Sequence, residues 1–399
     1  MKLHRLMQFP LKVVTLYLVA ACVVFAIPTD KSRNDGIRIM LERRSSQPNP
    51  DEEVDLQWII QNRNKIMQKR ATMFRNYQRN TGRAHPLKGT GHMKRADAVS
   101  GLANINNHNT EWAGKLTFGL QSIYFEFDTG SSDTIVNHDA YKPSLWAKNS
   151  KKSFSIAYLD GTKTTGTVYT DSFRLGLIKA KDVAIGRGND NFIHPDEGPN
   201  KGICGLGFPS IQSFPDGYPT LFETLRKQHA VNKGVFQFTL KPSGAELKFG
   251  GIDWWKAKGF IKYTDVDSSS GVWSVSASIN GKSVTATIDS GADYLYGPRS
   301  AIHKIMSELE GGEILNADDS EMFVYKCDAD AKIKIKIAGV EVTLGKDQMK
   351  IGMFRGKCLL PFIAMDDGSD SWTFGTTYFR STTLIFDADK SRLGVAPQA

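Results

Sequence analysis

Two copies of one short pattern constrain this chain more than anything else in it. Phe127-Asp128-Thr129-Gly130-Ser131-Ser132 and Ile288-Asp289-Ser290-Gly291-Ala292 each set an aspartate directly after an apolar run, far apart in the sequence. One Asp-Thr-Gly is weak evidence, because Asp/Gly turns are common at surfaces. Two of them, each ending a strand-like run, set a carboxylate where a core element stops and water reaches poorly. The copies also share a sequel. The glycine of Ile203-Cys204-Gly205 follows Asp128 at much the same interval as that of Thr373-Phe374-Gly375 follows Asp289. Duplication of one β lobe explains that order.

The sequence between these landmarks is β-like. Leu116–Phe118, Ile123–Phe127, Val235–Leu240, Ser274–Ile279 and Lys332–Ile337 are short apolar or β-branched runs, and Asp160-Gly161 and Asn280-Gly281 are hairpin dipeptides. Helical stretches after residue 111 are short, such as Pro219–His229 and Ser300–Leu309. The expected fold is all-β and two-lobed, with lobes over 96–256 and 257–399 and a cleft between them.

The net charge of +9 is confined to one end of the chain. Residues 1–95 carry 18 Lys/Arg against 7 Asp/Glu, leaving 33 basic and 35 acidic residues in 96–399. The larger part therefore has no cationic excess for phosphates, and nucleic acid is not an expected partner. Residues 1–26 read as a signal peptide: Lys2 and Arg5, then the apolar run Val13–Phe25, then small residues ending at Ala26. That run is shorter than the ~20 residues needed to cross a bilayer, so export is expected rather than a membrane anchor. Residues 27–95 read as a basic pro-segment with a helical stretch near Asp55–Phe74. It holds two dibasic pairs, Lys69-Arg70 and Lys94-Arg95, and a processing protease is expected to cut after the second. Cys327 and Cys358, both in the C-terminal half, could pair in an oxidising compartment, and Cys204 reads as a small buried hydrophobe.

Two carboxylates brought together cannot both ionise easily, so they titrate in separated steps and hold one proton between them. The ionised member can act as general base on a water while the protonated one polarises a carbonyl. A glycosidase also uses two carboxylates, but it does not account for the duplicated motif. Neither His-Glu-x-x-His nor Gly-x-Ser-x-Gly occurs, so zinc-protease and serine-hydrolase readings lack their signatures.

The sequence resembles the pepsin family of aspartic endopeptidases, closest to secreted fungal members. The likeness runs from Trp112-Ala113-Gly114-Lys115-Leu116-Thr117-Phe118-Gly119, through both motifs, Phe249-Gly250-Gly251-Ile252-Asp253 and Trp372-Thr373-Phe374-Gly375, to Arg392-Leu393-Gly394-Val395-Ala396-Pro397. One proton shared by two aspartates is that family's established chemistry. The resemblance implies Asp128 and Asp289 as the catalytic pair, Thr129 and Ser290 as hydroxyls bridging the lobes, and Ser131 as a donor to Asp128. It implies that Tyr158, Asp160 and Gly161 form a flap over the substrate, and that Cys327 pairs with Cys358. Protein and peptide substrates with apolar residues around the scissile bond, pepstatin-type inhibitors, a monomer and no cofactor or metal follow in the same way. The destination is the medium or, alternatively, a vacuole. Departures from the family pattern are Ile135 for a tryptophan, Lys201 and Thr376 for aspartates, and Ala292-Asp293 for a hydroxyl pair after the second motif. The chief rival reading is an inactive family member that binds peptides; both Asp-Thr/Ser-Gly cores are intact, which argues against it.

Overall fold

The computed structural model describes residues 36–43, 51–89, 112–157, 163–193, 200–317 and 320–399. The expected signal peptide, the Lys94-Arg95 pair, and Tyr158, Asp160 and Gly161 lie outside them.

Each copy of the duplicated pattern folds into the same three-strand unit. Gln121–Asp128 runs parallel to Gly202–Gly205, with Asp128 opposite Gly205, and the latter strand pairs antiparallel with Thr134–Val136. In the second copy Lys282–Ile288 runs parallel to Trp372–Phe374, which pairs antiparallel with Leu295–Pro298. Among the described residues the first unit belongs to an eight-stranded sheet and the second to a seven-stranded one. A third sheet draws Val235–Thr239 and Glu246–Phe249 from the first half, and Lys262–Asp265, Thr382–Asp387 and Arg392–Pro397 from the second. The fold is therefore the expected two-lobed β architecture on a shared floor.

Aromatic packing holds that floor. Phe236 stacks on Phe386 with ring centres 4.8 Å apart, and Trp273 meets both edge-on. All three are almost fully buried, and aromatic pairs add about 0.5–1.5 kcal/mol each beyond their burial. Cys327 and Cys358 form a disulfide beside a four-stranded sheet of the second lobe. Cys204 is a free, buried thiol, and burial pushes its pKa up to about 12, which leaves it unreactive near neutral pH.

The segment before residue 90 is more ordered than a basic tail. Ile37–Met40 adds an antiparallel edge strand along Glu246–Phe249, and Glu42–Arg43 pairs with Trp112-Ala113. Arg38 forms a two-pronged ion pair with Asp253, at 2.6 and 2.8 Å. Burial alone would raise the Asp253 pKa, but hydrogen bonds and charge from Arg38 and Lys248 hold it below the usual range. Leu56–Thr81 is one helix of 26 residues, continuing past Phe74, where the sequence pattern suggests an end. Asp55 caps its start by accepting from the Gln57 N–H, and Gly82, at φ 71°, closes its end with a hydrogen bond to the Gln78 carbonyl. The polar residues past Phe74 extend it because they bond outward: Asn76 to the Ile211 carbonyl, Arg79 to that of Gln212, Asn80 to those of Ser210 and Gln212. No helix among the described residues is long and apolar enough to cross a membrane.

Candidate active site

The two strand ends meet. Thr129 Oγ1 donates to the Ile288 carbonyl at 2.7 Å and accepts from the Ser290 N–H at 2.9 Å. Ser290 Oγ reciprocates, donating to the Phe127 carbonyl at 2.6 Å and accepting from the Thr129 N–H at 3.0 Å. Four bonds across the pseudo-twofold axis fix the two turns against each other. Thr129 and Ser290 are both buried, where hydrogen-bonding groups are costly to leave unpaired.

Glycine is required at both turns for a reciprocal reason. A Cβ on Gly130 would lie 2.4 Å from Asp289 Oδ2, and one on Gly291 would lie 2.5 Å from Asp128 Oδ1. Each turn makes room for the opposite carboxylate, while its own N–H bonds its own aspartate: Gly130 to Asp128 and Gly291 to Asp289, both at 2.9 Å. Ser131 adds another donor to Asp128 at 2.5 Å. Ala292, buried at the matching position of the second turn, has no hydroxyl to give Asp289. Asp293 is also buried, and its carbonyl accepts from the N–H and hydroxyl of Thr377. Thr376 braces the same segment through its N–H, 2.7 Å from the Ala292 carbonyl.

The helix Leu56–Thr81 delivers a cation to this pair. Lys69 Nζ lies 2.5 Å from Asp128 Oδ1 and 2.8 Å from Asp289 Oδ1. Burial opposes the lysine's charge, but the two carboxylates prevail and hold its pKa above the ordinary lysine range. For Asp128, burial would raise the pKa; the charge and hydrogen bond of Lys69, with Ser131, hold it below the ordinary value. For Asp289, burial leads and the charge of Asp128 adds, raising it above the ordinary aspartate range although Lys69 pulls the other way. Asp128 is therefore the more acidic member of the pair.

Arg70, beside Lys69, is buried and bound to Asp367 at 2.5 Å and Ser371 at 2.9 Å. This dibasic pair lies in mid-helix with its side chains engaged, inaccessible to a processing enzyme. Asp133, Ile135 and Glu126 line a cavity of about 340 Å³ between the first lobe and the helix, next to Asp128. The hairpin arms Lys148–Ala157 and Lys163–Leu175 pair up to Ala157 opposite Lys163, bounding the segment that includes Tyr158, Asp160 and Gly161.

Sequence reasoning misses two residues here. Lys69 reads from sequence only as half of a dibasic pair, and its spacing from Ile66 and Met73 on the helix is the available signal. Glu126 is absorbed into the run Ile123–Phe127, although strand alternation sets it on the same face as Asp128.

The asymmetry between the two aspartates yields a measurable expectation. In the mature enzyme, Ala292→Thr, or the smaller Ala292→Ser, supplies a donor to Asp289 and stabilises its ionised form. One hydrogen bond is worth about 0.5–1.5 kcal/mol, so the pH–rate profile should move toward acid by up to about one pH unit. An unmoved profile in both variants rules out the missing hydroxyl as a cause of the raised Asp289.

Comparison with known proteins identifies the family and the fold. The family described as "Eukaryotic aspartyl protease" matches residues 111–398. "Secreted aspartyl protease 1" of Malassezia globosa is 33% identical over 404 residues, covering 98% of this chain and 100% of that protein. "Penicillopepsin-1" of Penicillium roqueforti is 29% identical, covering 76% of this chain and 83% of its own. Among solved structures, the aspartic proteinase from Irpex lacteus superposes with a TM-score of 0.62 at 19% identity, covering 72% of this chain and 94% of that one.

Proposed function

The chain belongs to the eukaryotic aspartyl protease family, and on that premise we propose that Asp128 and Asp289 are the catalytic pair of an endopeptidase made as an inactive precursor. The observation that carries this reading is the reciprocal seating of each carboxylate against the other turn's glycine. A water held between them loses a proton to the ionised aspartate and attacks the peptide carbonyl, whose oxygen accepts a hydrogen bond from the protonated one. The tetrahedral intermediate then collapses as a proton passes to the leaving amine. No covalent enzyme intermediate is needed. Thr129, Gly130, Ser131, Ser290 and Gly291 hold the pair in position, and Tyr158, Asp160 and Gly161 are the proposed flap.

Residues 27–95 are the proposed pro-segment, with Lys69 as the residue that blocks the pair and the helix Leu56–Thr81 as the plug. Since Lys69-Arg70 is engaged in that plug, Lys94-Arg95 is the proposed site for a processing protease. The likeness to a secreted protease of Malassezia supports export, with the medium as destination and an acidic vacuole as the alternative. Protein and peptide substrates follow from the family, and pepstatin-type inhibitors are expected to bind the pair. The test is digestion of a denatured protein at about pH 4 by the mature chain. Cleavage at internal bonds that pepstatin blocks is the expected result, and pepstatin-insensitive cleavage would exclude the pair as its source.

A further inference from the structure

The second lobe supplies a complete set of acceptors to the guanidinium of Arg70. Its Nε donates to Asp367 Oδ2 at 2.5 Å, one terminal nitrogen donates to Ser371 Oγ at 2.9 Å, and the other to Thr373 Oγ1 at 3.3 Å. Each nitrogen thus has its own partner. Asp367 and Ser371 belong to the loop between the strands Phe362–Met365 and Trp372–Phe374, and Thr373 to the second of these strands. The loop is braced from within. Asp367 Oδ1 accepts from the Ser369 N–H at 3.1 Å, and the hydroxyls of Ser369 and Ser371 share a hydrogen bond at 2.7 Å. Asp366 pairs instead with Arg299, at 2.6 Å. The site adjoins the reacting pair, because Thr373 lies opposite Thr287, two residues before Asp289 on the neighbouring parallel strand. Asp367 is only 2% exposed in the precursor. Arg70 covers it, and the Leu87 carbonyl accepts from Ser369 Oγ at 2.5 Å beside it. Both covering residues lie in the proposed pro-segment.

We propose that Asp367, Ser371 and Thr373 form, once the pro-segment has left, a subsite that selects an arginine of the protein substrate, on one side of the scissile bond and within about three residues of it. This rests on residues 27–95 being removed and on Asp128 and Asp289 being the reacting pair. Substrate and helix compete for one place, since the scissile carbonyl must lie where Lys69 Nζ now bonds both aspartates. Arg70, the next residue, therefore marks a position that a substrate side chain near the cut can reach. Its departure takes the cation from Asp367 and the donors from Ser371 and Thr373. An arginine restores all three contacts through its planar fork. Lysine offers one nitrogen and cannot span three acceptors spaced for a guanidinium. Leucine restores none of them and sets hydrocarbon against the carboxylate, at a cost. Arginine is thus preferred at this position over both.

The test uses the mature enzyme at its pH of highest activity, with its first residue established by N-terminal sequencing. A mixed peptide library is digested and its cleavage sites are mapped by mass spectrometry. Enrichment of arginine at one position within three residues of the cut is expected. Peptides differing only in arginine, lysine or citrulline at that position are then compared, citrulline being the neutral analogue of arginine in size and shape. The arginine-to-citrulline ratio of kcat/KM should be at least about tenfold in the wild type and fall toward one in Asp367→Asn, because removing one partner of a charge pair is costly. Lysine should fall below arginine. No arginine enrichment, equal cleavage of the arginine and citrulline peptides, or an unchanged ratio in Asp367→Asn overturns the proposal. Should the variant fail to fold, the wild-type comparison of the three peptides decides alone. Lack of any pepstatin-sensitive cleavage would instead overturn the assignment of the aspartate pair. Fully active protein that still carries Arg70 would overturn the pro-segment reading, and this subsite with it.

Discussion

Asp128→Asn and Asp289→Asn should each lower kcat/KM on a peptide substrate by about 10⁴-fold or more while leaving a folded protein. General acid and general base contributions are each about 10²–10⁴-fold, and one shared proton performs both roles here, so either amide removes both. Asparagine keeps the size of aspartate, and its carbonyl can still accept from Gly130 or Gly291, which bond the carboxylates at 2.9 Å. It cannot take a proton from water or give one to a carbonyl oxygen. The turns themselves stay anchored by Thr129 and Ser290, whose four bonds do not involve either carboxylate. The measurement pairs steady-state kinetics on the mature variants with a thermal melt. Hydrolysis by either variant within about tenfold of wild type would remove that aspartate from the mechanism. An unfolded Asp→Asn protein would show that the carboxylates hold the turns together, contrary to the geometry.

The duplicated turns are legible because their physics is local. An apolar strand, a carboxylate, a hydroxyl and a glycine in fixed order leave few backbone solutions, and repetition of the pattern points to a pair. The three-strand units around Asp128 and Asp289 follow, since parallel pairing places Gly205 opposite Asp128 and Phe374 opposite Ile288. What is not legible depends on contacts distant in sequence. Ile37–Met40 is a short strand, and nothing within it identifies its partner far along the chain at Glu246–Phe249. The helix Leu56–Thr81 is legible as a periodicity, but its end depends on Asn76, Arg79 and Asn80 finding carbonyls at 210–212. Which of the many basic residues before Lys94 meets the aspartates depends on how that helix is rotated in the cleft. Trp58, Ile59, Ile66 and Met67 fix the rotation by packing into a cluster with Tyr294, Met322 and Ile363 of the second lobe. Glu126 is the reverse case. Its position is readable from strand alternation, and averaging it into an apolar run conceals it.

Replacing Lys69 with methionine should weaken the hold of the pro-segment at neutral pH by about 30-fold, and His85→Gln should delay its release on acidification. Among the described residues Lys69 alone bonds both aspartates through its side chain, and leaving a buried charge without its partner costs at least about 2 kcal/mol. The lysine stays charged throughout, so acid acts on its partners. The Asp128 pKa is depressed in the docked state, so its contribution is intact above the ordinary aspartate range. It is lost only as pH falls through that lowered value. His85 works at milder pH. It is packed between Phe74 and Tyr77, its Nε2 lies 2.6 Å from the Ser270 carbonyl, and its Nδ1 accepts from the Leu87 N–H. Burial, helped by the charge of Arg70, lowers its pKa to about 4, against the contrary pull of Ser270 and Asp267. A lowered histidine pKa means that the docked form resists a proton which the released form accepts. Docking is therefore unaffected above about pH 6.5, weakens as pH falls from there to about 4, and by then has lost up to about 3 kcal/mol. Glutamine can still donate to Ser270 but does not titrate, so that loss disappears. The experiment compares precursors carrying Arg95→Ala, to block processing, by peptide hydrolysis as a function of pH. With Lys69→Met, activity should appear near neutral pH, and with His85→Gln the midpoint of activation should move toward acid by roughly one unit. A Lys69→Met precursor as silent as wild type at neutral pH would assign the block to helix packing alone. An unmoved midpoint in His85→Gln would leave acid release to the carboxylates.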